Sequence, residues 1–297
     1  MEAALYVPSG SMGNRCDLEA HTHPGEKVLY EASNHLFLVE RLPNAHAACV
    51  VPHPLEGEFG VLKPEQVEDA AAATTSVPAS LVCIENSHNV SGGMAVLPEE
   101  VRALAEAAHD HLMRVHLDGA RIFNAAISLD IDVRELTRHV DSVMFCLSKG
   151  LSAPVGSMLC GSHDFVDRAT QVRKWLGGGM RKAGMMAAAG IVALESMVER
   201  LAEDGRRAHA LCQKLGEVEG VVASQPPRPT NFVLVDVAGL GWTSDELVTR
   251  WRERGILAGS RPPASARLVT HRHISDADVE FSVEVTRELV QEGPMGA

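Results

Sequence analysis

The stretch FCLSKGLSAPVGS, Phe145 to Ser157, governs how the rest of the chain is read. An apolar run ends in a lysine set between Ser148 and Gly150, and the residues after it shrink to Gly, Ser, Ala and Pro. A charge at the end of a buried strand needs a partner or a task, because burying it unpaired is costly. The small residues next to it leave room for something else to fit beside the amine.

Outward from this point, the pattern of an apolar run closed by turn residues repeats. AALYVP, KVLYEA, SLVCIEN, RVHLDGA and SVMFCLS read as strands. Between them, LPEEVRALAEAAHDHLMR spaces its apolar residues as a helix does, with Pro98 in the first turn and acids after it. This alternation predicts an α/β fold with a mostly parallel sheet between helices. A helix-forming stretch runs from Met185 to Arg207, after which the rhythm changes to TNFVLVDV, a helix at TSDELVTRWRERG, and ARLVTH. The sequence therefore predicts a large domain over 1–205 and a smaller C-terminal α+β domain over 206–297, with the boundary near Gly205. Ala70 to Thr75 and SQPPRPT read as loops or helix ends.

Composition narrows the function. With 297 residues, 45% of them apolar, and a mean hydropathy near zero, the chain suits a globular protein. No apolar run approaches the roughly 20 residues of a membrane-spanning helix. The net charge of −12 is spread without an acidic block or a basic cluster, which argues against nucleic acid or an anionic membrane as partner. The six cysteines lie far apart without a CxxC pair, and are expected to be reduced and mostly buried; no metal site is expected. Met1 leads almost directly into ALYVPSG without a charged and apolar leader, so a cytoplasmic location is expected.

Asp118, in VHLDGARIF, comes after an apolar strand, where open α/β sheets present ligand groups. Alone it reads equally as a turn or N-cap aspartate, and Lys149 as a solvent-facing strand end. Together, an acid and a lysine ending adjacent strands are the two groups a pyridoxal phosphate site demands. The lysine condenses with the aldehyde, and the carboxylate keeps the ring nitrogen protonated. PSGSMGN, Pro8 to Asn14, supplies small residues, hydroxyls and a helix start suited to a phosphate dianion, although a plain turn has the same composition. His35 in SNHLF could stack on a ring or pack at a strand end. His88 in IENSHN sits where an imidazole could transfer a proton, or could be structural.

SGSMGN, HLDGARIFNAA, SKGLSAPVGS, LGGGMRKAG and RLVTH, in that order, resemble the low-specificity L-threonine aldolases, pyridoxal phosphate enzymes of the aspartate aminotransferase fold type (fold type I). The 31-residue interval from Asp118 to Lys149 agrees with the family's motif pair. The resemblance implies that Lys149 carries the cofactor, Asp118 faces the pyridine nitrogen, His35 stacks on the ring, and Gly10 and Ser11 hold the phosphate. Lys174 and Arg181 would contribute near the cofactor or from a neighbouring subunit. Arg121 and Arg267 would hold the substrate carboxylate, and His88 would act near the β-hydroxyl, directly or through a water. The implied reaction is retro-aldol cleavage of L-threonine or L-allo-threonine to glycine and acetaldehyde by a homodimer or homotetramer. Another lyase of the same fold, catalysing β-elimination or phenylserine-type cleavage, is the alternative.

The family also carries an arm ahead of the strand matching ALYVPSG, with an RSDT-type segment whose serine helps bind the substrate carboxylate, and a glycine-rich stretch after the stacking histidine. This sequence starts at that strand and has ERLPNAHAA, from Glu40, in place of the glycines. An impaired, cofactor-binding homologue is therefore a further expectation.

Overall fold

Strands covered by helices on both faces must be apolar on both, and the runs quoted above meet that condition in a computed structural model that describes residues 1–40, 48–73 and 77–293. Most of ERLPNAHAA, and the end of the stretch reaching Thr75, lie outside the described residues. The strands read from sequence form as β1 (Ala3–Val7), β2 (Lys27–Glu31), β4 (Ala79–Glu85), β5 (Arg114–Asp118) and β6 (Ser142–Cys146). Two more, β3 (Val51–Leu55) and β7 (Ser157–Gly161), were not legible. β3 carries Pro52 and Pro54, and proline belongs at a sheet edge where its missing N–H breaks no ladder. β7 starts directly after the Gly156 turn, which disguises it as loop.

The seven strands lie in the order β1-β7-β6-β5-β4-β2-β3. From β6 to β3 every pair is parallel, and the β1–β7 and β7–β6 pairs are antiparallel. The mostly parallel sheet expected from the sequence is thus present. Its helices are α1 (Gly10–His21), α2 (His35–Leu38), α3 (Pro64–Ala72), α4 (Pro98–Asp110), α5 (Ile122–Leu129), α6 (Val133–Thr137), α7 (His163–Trp175) and α8 (Gly184–Ser196). In α4, Pro98 occupies the first turn, where a missing N–H costs nothing, and Glu100 accepts from the Leu97 N–H at 2.7 Å. Its buried stripe, Val101, Leu104, Ala105 and Ala108, joins Val82, Val115 and Leu117 of the sheet in one core. Burying a side chain such as Leu104 is worth about 1.5–3 kcal/mol.

The chain divides into two compact units, Met1–Glu199 and Arg200–Ala297. The long helix expected from Met185 to Arg207 is two helices, α8 and α9 (Leu201–Leu215). The second has its own acidic first turn, Glu203 and Asp204, suited to a helix N-terminus, which periodicity alone does not distinguish from helix interior. Gly205 lies inside α9. In the C-terminal unit, α10 (Ser244–Glu253) and α11 (Asp276–Glu292) join an antiparallel sheet ordered β10 (Gly259–Arg261), β11 (Ser265–Val269), β9 (Phe232–Asp236), β8 (Val222–Ser224). Trp251 anchors its core, fully buried, with Nε1 donating to Thr286 Oγ1 at 3.0 Å. Among the described residues, no helix is long and apolar enough to cross a membrane.

Gly156, at the end of the loop after Lys149, has φ +104°, and a Cβ there would sit 2.0 Å from Tyr6 Oη. Gly156→Ala is expected to lower stability by about 1–3 kcal/mol, read as a lower urea midpoint. An unchanged midpoint would show that this loop relaxes freely.

Candidate active site

β5 and β6 run side by side in parallel, so their carboxyl ends open onto the same edge of the sheet. Asp118 is the last residue of β5 and is 1% exposed. Its Oδ1 accepts from Ala120 N at 3.0 Å and its Oδ2 from Asn14 Nδ2 at 3.1 Å. Lys149 lies three residues beyond β6, in a turn closed by Ser152 N donating to the Lys149 carbonyl, and its side chain is exposed. Both line a cavity of about 370 Å³ together with Gly10, Ser11, His35 and Glu40.

One end of this cavity is built by the start of α1. Ser9 is its N-cap, accepting from Met12 N at 3.2 Å. Gly10 and Ser11 open the helix, where N–H groups have no intrahelical acceptor and the dipole favours an anion. A Cβ on Gly10 would lie 3.0 Å from Cys146 Sγ and 3.3 Å from Met144 Cε, so glycine lets the helix end approach β6 closely.

His35 forms another wall. Its Nε2 is 3.4 Å from Glu40 Oε1, and the Glu40 contact holds its imidazole above the ordinary range against the opposing effect of burial. Burial opposes ionisation of Glu40, yet bonds from His35, Ser11 and Asn14 keep its carboxyl below the usual range. Asn14 Nδ2 reaches both acids, Glu40 Oε2 at 3.3 Å and Asp118 Oδ2 at 3.1 Å. Neither Asn14 nor Glu40 is among the site residues expected from the sequence. The available signals were Asn14 one helical turn after Gly10, and Glu40 as an acid closing the apolar run after His35.

His88 is placed differently from a substrate-facing base. It is fully buried, outside the cavity lining, under Gly60, whose added Cβ would meet its ring at 2.1 Å. Its Nδ1 bonds Ser91 Oγ at 2.9 Å. Its Nε2 is 3.1 Å from Glu31 Oε2 and 3.6 Å from Glu85 Oε2, within ion-pair range though off the line of a good hydrogen bond. Burial disfavours the imidazolium, but the Glu31 contact and the Glu85 charge outweigh it and hold His88 above its ordinary range. Burial pushes Glu85 up, and its oxygens accept from His35 N at 2.7 Å and Asn89 N at 2.9 Å. The cluster therefore braces the backbone of His35.

Arg121 directly precedes α5, partly buried, its guanidinium within electrostatic reach of Cys146, Glu85 and Asp118. Lys174 and Arg181 are exposed and do not line the cavity. The glycine segment between them packs on α1, where a Cβ on Gly178 would come within 2.2 Å of Met12 Sδ. Arg267 belongs to the C-terminal unit, with its guanidinium 4.9 Å above the Phe232 ring.

The residues fit a flat aromatic aldehyde carrying a dianion. An amine, a buried acid, an imidazole wall and a helix N-terminus converge on a cavity within the size range of small-molecule sites. The beta-eliminating lyase family model matches residues 1–238. The low-specificity L-threonine aldolase 1 of Arabidopsis thaliana is 36% identical over 296 residues, covering 97% of this chain and 83% of that protein. The low specificity L-threonine aldolase of Escherichia coli (strain K12) is 35% identical over 282 residues, covering 92% and 80%. The solved structure of Leishmania major threonine aldolase superposes with a TM-score of 0.83 at 19% identity, covering 97% of this chain and 84% of that one.

The folded His88 keeps its proton to higher pH than an unfolded imidazole. Its stabilising contribution is therefore complete below about pH 6.5 and fades as pH rises through the elevated folded value. His88→Asn is expected to cost about 3–5 kcal/mol at acid pH by leaving buried carboxylate charge unpaired, with a smaller gap from the parent at alkaline pH. Urea unfolding of both proteins at the two pH values measures this, and a pH-independent gap would show that His88 is neutral in the fold.

Proposed function

Because the chain belongs to the beta-eliminating lyase family and, within it, to the low-specificity L-threonine aldolases, we propose that its site binds pyridoxal phosphate and cleaves L-threonine and L-allo-threonine to glycine and acetaldehyde. The observation that carries this reading is the placement of Asp118 and Lys149 at the ends of neighbouring parallel strands, facing one cavity closed by the start of α1. When bound, pyridoxal phosphate supplies an aldehyde for amines to condense with and a ring that accepts the electron pair released as the Cα–Cβ bond breaks.

The chain's own residues do the rest. Lys149, which lines the cavity, would hold the cofactor through its Nζ. Asp118, buried and already bonded by Asn14 and Ala120, would hold a proton at the ring nitrogen. The N-terminal N–H groups of α1 at Gly10 and Ser11 would hold the phosphate, and His35, in the wall of the same cavity, would pack against the ring. Arg121 receives the substrate carboxylate in a charge-assisted bond. The β-hydroxyl proton would leave to a water in the cavity rather than to His88, which is buried outside the cavity lining.

β-Elimination is the second reading, favoured by the description of the matching family model. The two differ in products: glycine and an aldehyde, against ammonia and a keto acid.

We also assign the apolar surface of α8 to a second copy of this chain. Met185, Ile191 and Val192 are 86%, 55% and 59% exposed on a helix that buries Gly190 and Ala193. Exposed large apolar side chains on one helix suit an interaction site.

Borohydride reduction with pyridoxal phosphate present is expected to leave the pyridoxyl group on Lys149, and the parent should release glycine and acetaldehyde from threonine. Labelling at another lysine would remove the assignment, and ammonia with a keto acid as products would select the second reading. By sizing chromatography the parent should elute as a dimer or larger, and Ile191→Asp with Val192→Asp should shift it toward monomer. A monomeric parent would refute self-association.

A further inference from the structure

Beyond Asn14 a line of buried polar groups continues from Asp118 into the protein. α1 places Asn14, Asp17 and His21 along one face, at helical spacings of three and four. β5 turns His116 to the same side as Asp118, two residues on, and β6 contributes Ser142. Asp17, His116 and Ser142 are 0% exposed and Asn14 is 1% exposed. Asn14 Oδ1 is 3.4 Å from His116 Nε2. His116 Nδ1 is 2.8 Å from Asp17 Oδ1 and 2.9 Å from Ser142 Oγ. Ser142 Oγ donates to Asp17 Oδ1 at 2.5 Å and is 2.9 Å from His21 Nε2.

With the Asn14 amide turned as its acidic neighbours require, counting protons assigns the roles in this line. Ionised carboxylates only accept, so the Asn14 NH2 must face Asp118 and Glu40, which turns its carbonyl oxygen to His116 Nε2. That nitrogen must therefore donate. The single Ser142 proton goes to Asp17, so His116 Nδ1, facing Asp17 and Ser142, must donate as well. A ring donating from both nitrogens is an imidazolium.

The remaining neighbours leave the charge on His116. Burial holds His21 below the ordinary imidazole range, and its ring stacks on Phe165 at 4.4 Å, as suits a neutral ring donating to Ser142. On β4, Cys83 stands opposite His116 in register, and burial pushes both its thiol and the Tyr30 phenol far up, so both are neutral. Asp17 is opposed by burial, yet the charge of His116 keeps its carboxyl below the usual range. Among the described residues its Oδ2 has no hydrogen-bond partner, so Asp17 depends on that cation.

We propose that the His116–Asp17 ion pair is a positioning device for Asp118: the imidazolium locks the Asn14 amide so that its NH2 serves Asp118 and Glu40 and cannot turn its oxygen against them. The use of this device rests on the pyridoxal phosphate reading, because Asp118 is the group that reading aims at the ring nitrogen. Asn14 and His116 are thereby positioning residues, acting through Asp118 rather than on the substrate.

The test uses the full chain. In nitrogen-15 histidine spectra of the cofactor-free protein, His116 should carry protons on both ring nitrogens at neutral pH, and Asp17→Asn should reduce this to one. A singly protonated His116 in the parent overturns the proposal whatever reaction the protein performs. By equilibrium dialysis, pyridoxal phosphate affinity should fall roughly tenfold in His116→Leu and in Asn14→Leu. His116→Gln, which keeps an N–H for Asn14 Oδ1, should recover most of that loss. Equal affinity in the parent and in folded His116→Leu also overturns it. A parent that binds no pyridoxal phosphate removes the functional reading instead, and the ring-nitrogen spectrum still decides the positioning role.

Discussion

His116 pairs with Ser142, Leu117 with Val143 and Asp118 with Met144 as β5 runs parallel to β6, so side chains leaving the two strand ends emerge at one edge of the sheet. Parallel pairing requires both strands to be buried on both faces, which fills their interiors with apolar residues and leaves polar chemistry to the ends. The register is equally binding. A slip of one residue would turn Asp118 and His116 to the opposite face and part them from α1. The cavity, the acid and the amine thus depend on one strand pairing.

Concentrating acids at that edge has an electrostatic cost, and the fold meets it with imidazoles and amides. Asp118, Glu40, Glu31, Glu85 and Asp17 are each at most 5% exposed. An unpaired buried carboxylate is expensive, and each has a partner: Glu40 has His35 and Asn14, Glu31 and Glu85 have His88, Asp17 has His116, and Asp118 has Asn14 and the Ala120 N–H. Removing one histidine therefore exposes a charge rather than opening a hole. Histidines that look alike in the sequence do different work because their carboxylates differ.

Small residues around the lysine turn serve close packing as well as space for a ligand. Gly156 lies against Tyr6, and Gly10 lies against Cys146 and Met144. The turn carrying Lys149 is thereby held between β1, the start of α1 and β6, elements that meet only in three dimensions.

The α/β alternation, the parallel core strands and the pairing of Asp118 with Lys149 were legible in the sequence, since each depends on local hydrophobic pattern and on the residue types that close a strand. β3 and β7 were not, because prolines in one and a glycine turn before the other mask the apolar signal. Gly10, Ser11 and His35 were legible as cavity residues, whereas Asn14 and Glu40 became visible only when α1 and α2 were set beside β5. Lys174 and Arg181 lie on the surface of their own unit, where the glycine segment between them packs on α1. The sequence by itself determined which residues end strands and begin helices, because those signals are short-range. Tertiary structure alone decided which carboxylate each histidine meets, because strand order and register bring together residues as distant as Asn14, His35 and Asp118, and burial then sets their charge.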